Sequence, residues 1–128
     1  MAQKRKPRVL IADDELHIRT MVKAVMKSMG AEVVGEADNG EEAVRLFQDV
    51  NPDLTLLDIN MPIKTGEQAL KEIIEEKQDA FIIMLTSLAD LNTVEKCLEL
   101  GASNYIRKDT PISEMKKIIK ETWGVMKS

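Results

Sequence analysis

The residues of this chain best placed to do chemistry are aspartates that close apolar runs. Asp58 ends Leu54-Thr55-Leu56-Leu57 and is followed by Ile59-Asn60-Met61-Pro62. Asp13-Asp14-Glu15 ends Val9-Leu10-Ile11-Ala12 in the same way. A carboxylate at the tip of a buried strand is unfavourable unless a partner offsets its charge. Two such ends predict one shared acidic pocket, in which the carboxylates would repel one another or protonate. A magnesium ion relieves this, because it prefers hard oxygen ligands. Thr86 adds a hydroxyl, and Lys108 adds a compact ammonium that suits a tetrahedral oxyanion. Such a set is built for a phosphoryl group, whose transfer is mainly positioning and charge neutralisation. Asp58 is then the nucleophile.

These residues can meet only if the fold gathers them. Short aliphatic runs at Arg8–Ala12, Glu32–Glu36, Leu54–Leu57, Phe81–Leu85 and Asn104–Arg107 read as strands. Between them the apolar residues recur at helical spacing. Ile18, Met21, Val22, Val25 and Met29 share one face, as do Ala43, Val44, Phe47 and Val50. Ala69, Leu70, Ile73 and Ile74 form the third face, and Val94, Cys97, Leu98 and Gly101 the fourth. Met115, Ile118, Ile119, Thr122 and Met126 form the last. Gly30 and Gly101 stand where a left-handed helix cap favours glycine. Pro52 and Pro111 mark element starts, and Pro62 fixes a turn after Asp58.

Five strand–helix units in strict alternation predict an α/β fold, a doubly wound parallel sheet with helices on both faces. In such sheets sites form at the carboxyl ends of the strands, where strand order reverses. Asp13, Asp14, Asp58, Thr86 and Lys108 all fall at or just beyond such ends.

Composition narrows the setting. The 128 residues suit one domain, and we expect it to run over 1–128. A domain of this size buries roughly two-thirds of its unfolded surface and folds without a disulfide or structural metal. Cys97 is the only cysteine, so a reducing, cytoplasmic setting is expected. The net charge of -4 speaks against nonspecific nucleic-acid binding. Lys4-Arg5-Lys6 reads as a solvated tail, since the apolar run behind it is too short for a secretory core. No stretch approaches the ~20 apolar residues of a membrane span.

Asp13-Asp14, Asp58-x-x-Met61-Pro62-x-x-x-Gly66, Thr86-Ser87, Gly101-Ala102 and Tyr105-x-x-Lys108, in this order and at strand ends, resemble the response-regulator receiver domain, the CheY-like phosphoacceptor of two-component signalling. The resemblance runs from Arg8 to about Trp123 and implies the flavodoxin-like strand order 2-1-3-4-5. It implies that Asp58 accepts a phosphoryl group from a phosphohistidine of a sensor histidine kinase. It implies Mg2+ bound directly by Asp14 and Asp58 and by the backbone carbonyl of Asn60, with Asp13 acting through a metal-bound water. Lys108 would pair with a phosphoryl oxygen. Thr86 would move toward the phosphoryl group and Tyr105 would turn inward behind it. The face made by the fourth helix, last strand and last helix would then be read by a protein partner.

The chain departs from the family at Lys108, which is usually followed by proline, often through a cis bond. Here Asp109 follows and Pro111 comes later, so the Lys108–Asp109 geometry is left open, and Asp109 places a negative charge near the lysine. Leu88, two beyond Thr86, and Asn60, two beyond Asp58, look onto the attacking water in this family. An apolar Leu88 predicts a long-lived phosphorylated state.

Other residues read as structural. His17 is expected at the surface, Cys97 buried and inert, and Trp123 and the methionines as core filler. Ser87 either assists Thr86 or caps the fourth helix. Two competing functions remain. A phosphohydrolase of the haloacid dehalogenase type also uses a strand-end aspartate, a lysine and magnesium, but carries an acidic residue where this chain has Asn60. A receiver excised from a larger transcription factor is the other; no DNA-binding segment is visible here, and a single-domain regulator of chemotaxis or a phosphorelay is expected.

Overall fold

A computed structural model describes residues 6–127, with side chains described to Gly124. Lys4, Arg5 and the Met126 side chain therefore lie outside the described residues. The chain alternates β1 (Arg8–Ala12), α1 (Leu16–Ser28), β2 (Glu32–Ala37), α2 (Gly40–Val50), β3 (Leu54–Asp58), α3 (Gly66–Glu76), β4 (Ile82–Thr86), α4 (Leu91–Leu100), β5 (Asn104–Arg107) and α5 (Ile112–Lys127). A single 3-10 turn, Leu88–Asp90, precedes α4. The five strands form one sheet in the order β2-β1-β3-β4-β5, and every pairing is parallel. This is the flavodoxin-like strand order expected from the sequence.

The strands differ from the sequence expectation at their ends. β2 runs on to Ala37, β3 takes in Asp58, and β4 runs from Ile82 to Thr86, so Phe81 lies outside it. Pairing rather than hydropathy sets these limits. Asp58 is a polar residue, yet its backbone continues the ladder opposite Leu85.

Side-chain alternation along each strand builds two cores. Val9 and Ile11 of β1, Leu54 and Leu56 of β3 and Ile83 and Leu85 of β4 pack with α1 and α5. Leu10 and Ala12, Leu57, and Ile82 and Met84 face the other way, onto α2, α3 and α4. Leu98 departs from the expected inward stripe of α4, because Val94 and Cys97 alone are enough to cover the sheet there. Leu98 is instead exposed with Leu91, seven residues earlier, on the outer face of the same helix.

Local signals hold the helices in place. Asn39 caps α2 by accepting from Glu42 N–H, and Thr65 with Gln68 forms a reciprocal capping box on α3. Gly30 and Gly101 take positive φ, 84° and 122°, just past α1 and α4, as the sequence predicts. Gly66 serves a different need. A Cβ there would lie 1.9 Å from the carbonyl oxygen of Asp58. The loop from β3 folds back so closely that Gly66 N–H donates to Ile59 O at 2.8 Å. Within that loop Lys64 N–H donates to Pro62 O, a three-residue γ-turn that forces Ile63 to φ 71°.

Candidate functional site

The site lies at the carboxyl ends of β1, β3, β4 and β5. β1 and β3 are hydrogen-bonded neighbours, so Asp13 and Asp58 emerge side by side. Asp13 is fully buried and Asp58 is 1 % exposed, whereas Asp14 is open to solvent. The three each offer a carboxylate oxygen, and these oxygens all lie within 4.8 Å of one another.

Lys108 closes the pocket from the far edge. Its N–H donates to Thr86 O at 2.8 Å, extending the β4–β5 pairing past the last strand residue. Its ammonium then lies 2.8 Å from Asp13 Oδ2, 3.0 Å from Glu15 Oε1 and 3.1 Å from Asp58 Oδ1. No peptide bond among the described residues is cis, so Lys108–Asp109 is trans and the lysine still reaches the pocket. Asp109 does not crowd it: the Asp109 carboxylate is exposed and bound by Arg107 at 2.7 Å.

The electrostatics follow from this packing. Burial, and then the charge of Asp13, push the Asp58 carboxyl up to about 7, against the pull of Lys108 and of the Asn60 N–H. Burial works against the Lys108 charge, but its close contacts with the Asp13 and Glu15 carboxylates and the charge of Asp58 outweigh it and hold the lysine above its ordinary range. The hydrogen bond from Lys108, and then its charge, hold Glu15 below the usual carboxylate range.

One oxygen is left over. Asp58 Oδ2 is buried without a hydrogen-bond partner among the described residues. Asp13 Oδ2 is in ionic contact with Lys108 but outside good hydrogen-bond geometry. An orphaned buried carboxylate oxygen, ringed by further carboxylates and with no nitrogen or sulfur donor among them, fits a small hard cation such as Mg2+.

Other predicted residues stand further out. Thr86 is fully buried, and its hydroxyl donates to Ser87 O at 3.0 Å rather than into the pocket. Asn60 N–H donates to Asp58 Oδ1 at 3.2 Å, and its carboxamide reaches across to Asp90 Oδ1 at 2.7 Å. Tyr105 is 38 % exposed and faces outward. Asp90, not Ser87, stands at the cap of α4, and the Ser87 hydroxyl donates to Asp90 Oδ2 at 2.8 Å. Leu88 is 64 % exposed beside this group. Cys97 is buried, and burial pushes its thiol up to about 11, in line with an inert residue. His17 lies at the surface, 3.9 Å from Glu15.

Two participants escape a sequence reading. Glu15 was visible as part of the acidic cluster, but its pairing with Lys108 joins residues 93 apart in sequence. Asp90 carried no signal at all, since an aspartate before a helix is ordinarily a cap.

Comparison with known proteins identifies the family. The sequence pattern of the response regulator receiver domain matches residues 9–120. The chemotaxis protein CheY of Listeria monocytogenes is 39% identical over 101 residues, covering 79% of this chain and 85% of that protein. CheY of Bacillus subtilis is 36% identical over 115 residues, covering 90% and 96%. Among solved structures, the REC domain of AraT, a response regulator from Geobacillus stearothermophilus, superposes with a TM-score of 0.88 at 26% identity over 96% of this chain and 97% of that one. A CheX-CheY-BeF3-Mg+2 complex from Borrelia burgdorferi superposes with a TM-score of 0.85 at 30% identity, covering 91% and 88%. The chain belongs to the response regulator receiver domain family.

Proposed function

We propose that this chain is a phosphorylation-controlled signalling module of a two-component system, in which Asp58 takes a phosphoryl group from a phosphohistidine of a sensor histidine kinase. The observation that carries the reading is the pairing of Lys108 Nζ with Asp58 Oδ1 at 3.1 Å beside an Asp58 Oδ2 that has no partner. The unpartnered oxygen is the one to hold a metal, and the oxygen beside the fixed cation is the one to bond phosphorus.

Asp58 attacks phosphorus, the nitrogen–phosphorus bond breaks, and the electron pair returns to the leaving imidazole. Lys108 stays beside the carboxylate and meets the incoming phosphoryl oxygens. Asp13, Asp14 and Asp58, with the backbone carbonyl of Asn60, would hold Mg2+. When bound, that ion neutralises charge on the phosphoryl oxygens and on the carboxylates together. Thr86 would leave its hydrogen bond to Ser87 O and donate to the phosphoryl group instead. The chain acts as an acceptor rather than a turnover enzyme.

The output surface is the α4-β5-α5 face. Leu91, Leu98 and Tyr105 are large apolar side chains left exposed there, a ready contact for a protein partner. Tyr105, now outward, is free to swing behind Thr86 once the hydroxyl moves. Partners are thus a sensor kinase and a protein target, with no nucleic acid and no membrane insertion. No described helix is long and apolar enough to cross a membrane. A cytoplasmic site of action and a single domain spanning 1–128 complete the reading.

Incubation with acetyl phosphate and Mg2+, followed by intact-mass analysis, tests it. The expected result is one phosphoryl group per chain, lost in Asp58→Asn and blocked by beryllofluoride. Many turnovers on small phosphate esters would overturn it in favour of a phosphohydrolase.

A further inference from the structure

On the sheet face covered by α1 and α5, a groove of about 630 Å³ opens between the two helices. Met26 and Met29 around the end of α1, Leu54 at the start of β3 and Trp123 of α5 give it an apolar lining. Leu54 opens its strand, and Trp123 stacks on Phe81, just ahead of β4. The groove therefore lies toward the amino ends of the strands, away from Asp13, Asp58 and Lys108 at the carboxyl ends. Its volume falls within the roughly 300–1,000 Å³ of small-molecule sites.

One wall of the groove is basic. Lys116, Lys117 and Lys120 of α5 line it, and no acidic side chain does. None of the three lysines forms an ion pair among the described residues. In a chain of net charge -4, three unpaired ammonium groups around one apolar groove are a local excess of the opposite sign. Lysine suits such a rim, because its stem lies along apolar surface while the charge stays at the water.

The chain does not supply the counter-charge itself. Neither residues 1–5 nor residues 125–128 contain an acidic side chain, and Lys4-Arg5-Lys6, next to Pro7 of the groove wall, is basic. A second copy docked face to face would set the same lysines against one another. None of the large exposed apolar side chains lines the groove. Apolar surface here is thus confined to the groove, rather than spread over the roughly 800 Å² per partner of a stable protein interface.

We propose that the α1–α5 groove is a binding site for a small amphipathic carboxylate, whose apolar chain lies against Met26, Met29 and Trp123 and whose anionic head is held by Lys116, Lys117 and Lys120. The site shares no residue with the acidic pocket and does not depend on phosphorylation of Asp58. A ligand there bridges α1 to α5 and stabilises the folded chain by mass action.

The probe is decanoate, kept below its micellar concentration in metal-free buffer, and the readout is the emission of Trp123, the only tryptophan. The native chain is expected to show a saturable change, with a melting temperature that rises as decanoate is added. Decanol, with the same chain length and no charge, is expected to bind about threefold or more weakly. The double variant Lys116→Gln, Lys120→Gln keeps the length of both side chains and loses two charges. It is expected to bind decanoate about three- to tenfold more weakly and decanol as the native chain does. No saturable signal in the native chain overturns the proposal. So does equal binding of decanol and decanoate, or a decanoate affinity that the double variant leaves unchanged. An emission change that follows protein concentration alone would assign the groove to a second copy, and binding that appears only once residues 1–5 are removed would assign it to the basic tail. Either result overturns the proposal as well.

Discussion

Lys108 reaches Asp58, 3.1 Å from ammonium to carboxylate, without the proline that usually follows this lysine. The backbone pair between Lys108 N–H and Thr86 O aims the side chain, so the loop beyond it does not have to. The same ammonium contacts Asp13 and Glu15, and three carboxylates share one cation.

Replacing that cation should be costly in the absence of metal. In Lys108→Ala, Asp13 and Asp58 remain buried with no opposing charge. We expect a loss of roughly 2–3 kcal/mol at pH 8, at or below the usual range for breaking a buried pair, because Asp58 can relieve the strain by protonating. Urea denaturation with and without Mg2+ measures it, and the deficit should shrink when Mg2+ is present.

Asp58 sets a pH dependence of definite sign. Its carboxyl is raised to about 7 in the fold against an ordinary carboxylate value when unfolded. Between those values the folded chain binds more protons than the unfolded one, so stability falls as pH rises from about 4 to about 7. Lys108, shifted upward, contributes stability that is lost only at alkaline pH and does not mask this window. Metal-free protein should therefore be more stable at pH 5 than at pH 8, and Asp58→Asn should remove much of the difference. Thermal denaturation in a chelator checks both.

Leu88 bears on the lifetime of the phosphorylated state. It is 64 % exposed, so Leu88→Glu should leave stability within about 0.5 kcal/mol. In the proposed reaction a carboxylate there can orient water, and phosphate release should quicken. A phosphate-release assay in which Leu88→Glu matched the native chain would count against the long-lived state predicted from an apolar residue at this position.

The β3–α3 loop yields two substitutions of opposite sign. Gly66→Ala brings a Cβ to 1.9 Å from Asp58 O, so the backbone that carries Asp58 must shift. We expect a loss of about 3 kcal/mol or more and a displaced acidic pocket. Ile63→Gly relieves a β-branched residue held at φ 71° and should gain roughly 1 kcal/mol. Denaturant midpoints of the two variants report both effects.

The sequence made the acidic pocket legible because its members close apolar runs, and strand ends in a parallel sheet converge. Asp13, Asp14, Asp58 and Lys108 needed no more than that. The strand order came from resemblance, since alternation alone fixes parallel pairing and leaves the neighbours undecided. Leu98 was misplaced because helical spacing cannot say how wide a stripe the sheet will cover. Asn60 with Asp90, and Lys108 with Glu15, were not legible: each joins polar residues from separate loops, and local spacing carries no trace of such pairs. The strained turn at Ile63 was hidden for a similar reason, because isoleucine gives no warning of a positive φ.

The single tryptophan has a practical bearing on all of these measurements. Trp123 stacks on Phe81, ring centres 4.9 Å apart and 17° from parallel, at the end of the sheet where β4 begins. The Asp58–Leu85 pair lies four residues further along β4, about 13 Å away. Its emission should therefore stay nearly blind to metal or phosphoryl group at the acidic pocket, while tracking the melting of the α1–α5 core. The molecule carries an optical channel for unfolding that is separate from its chemistry, so one sample can report stability by fluorescence and modification by mass without either signal contaminating the other.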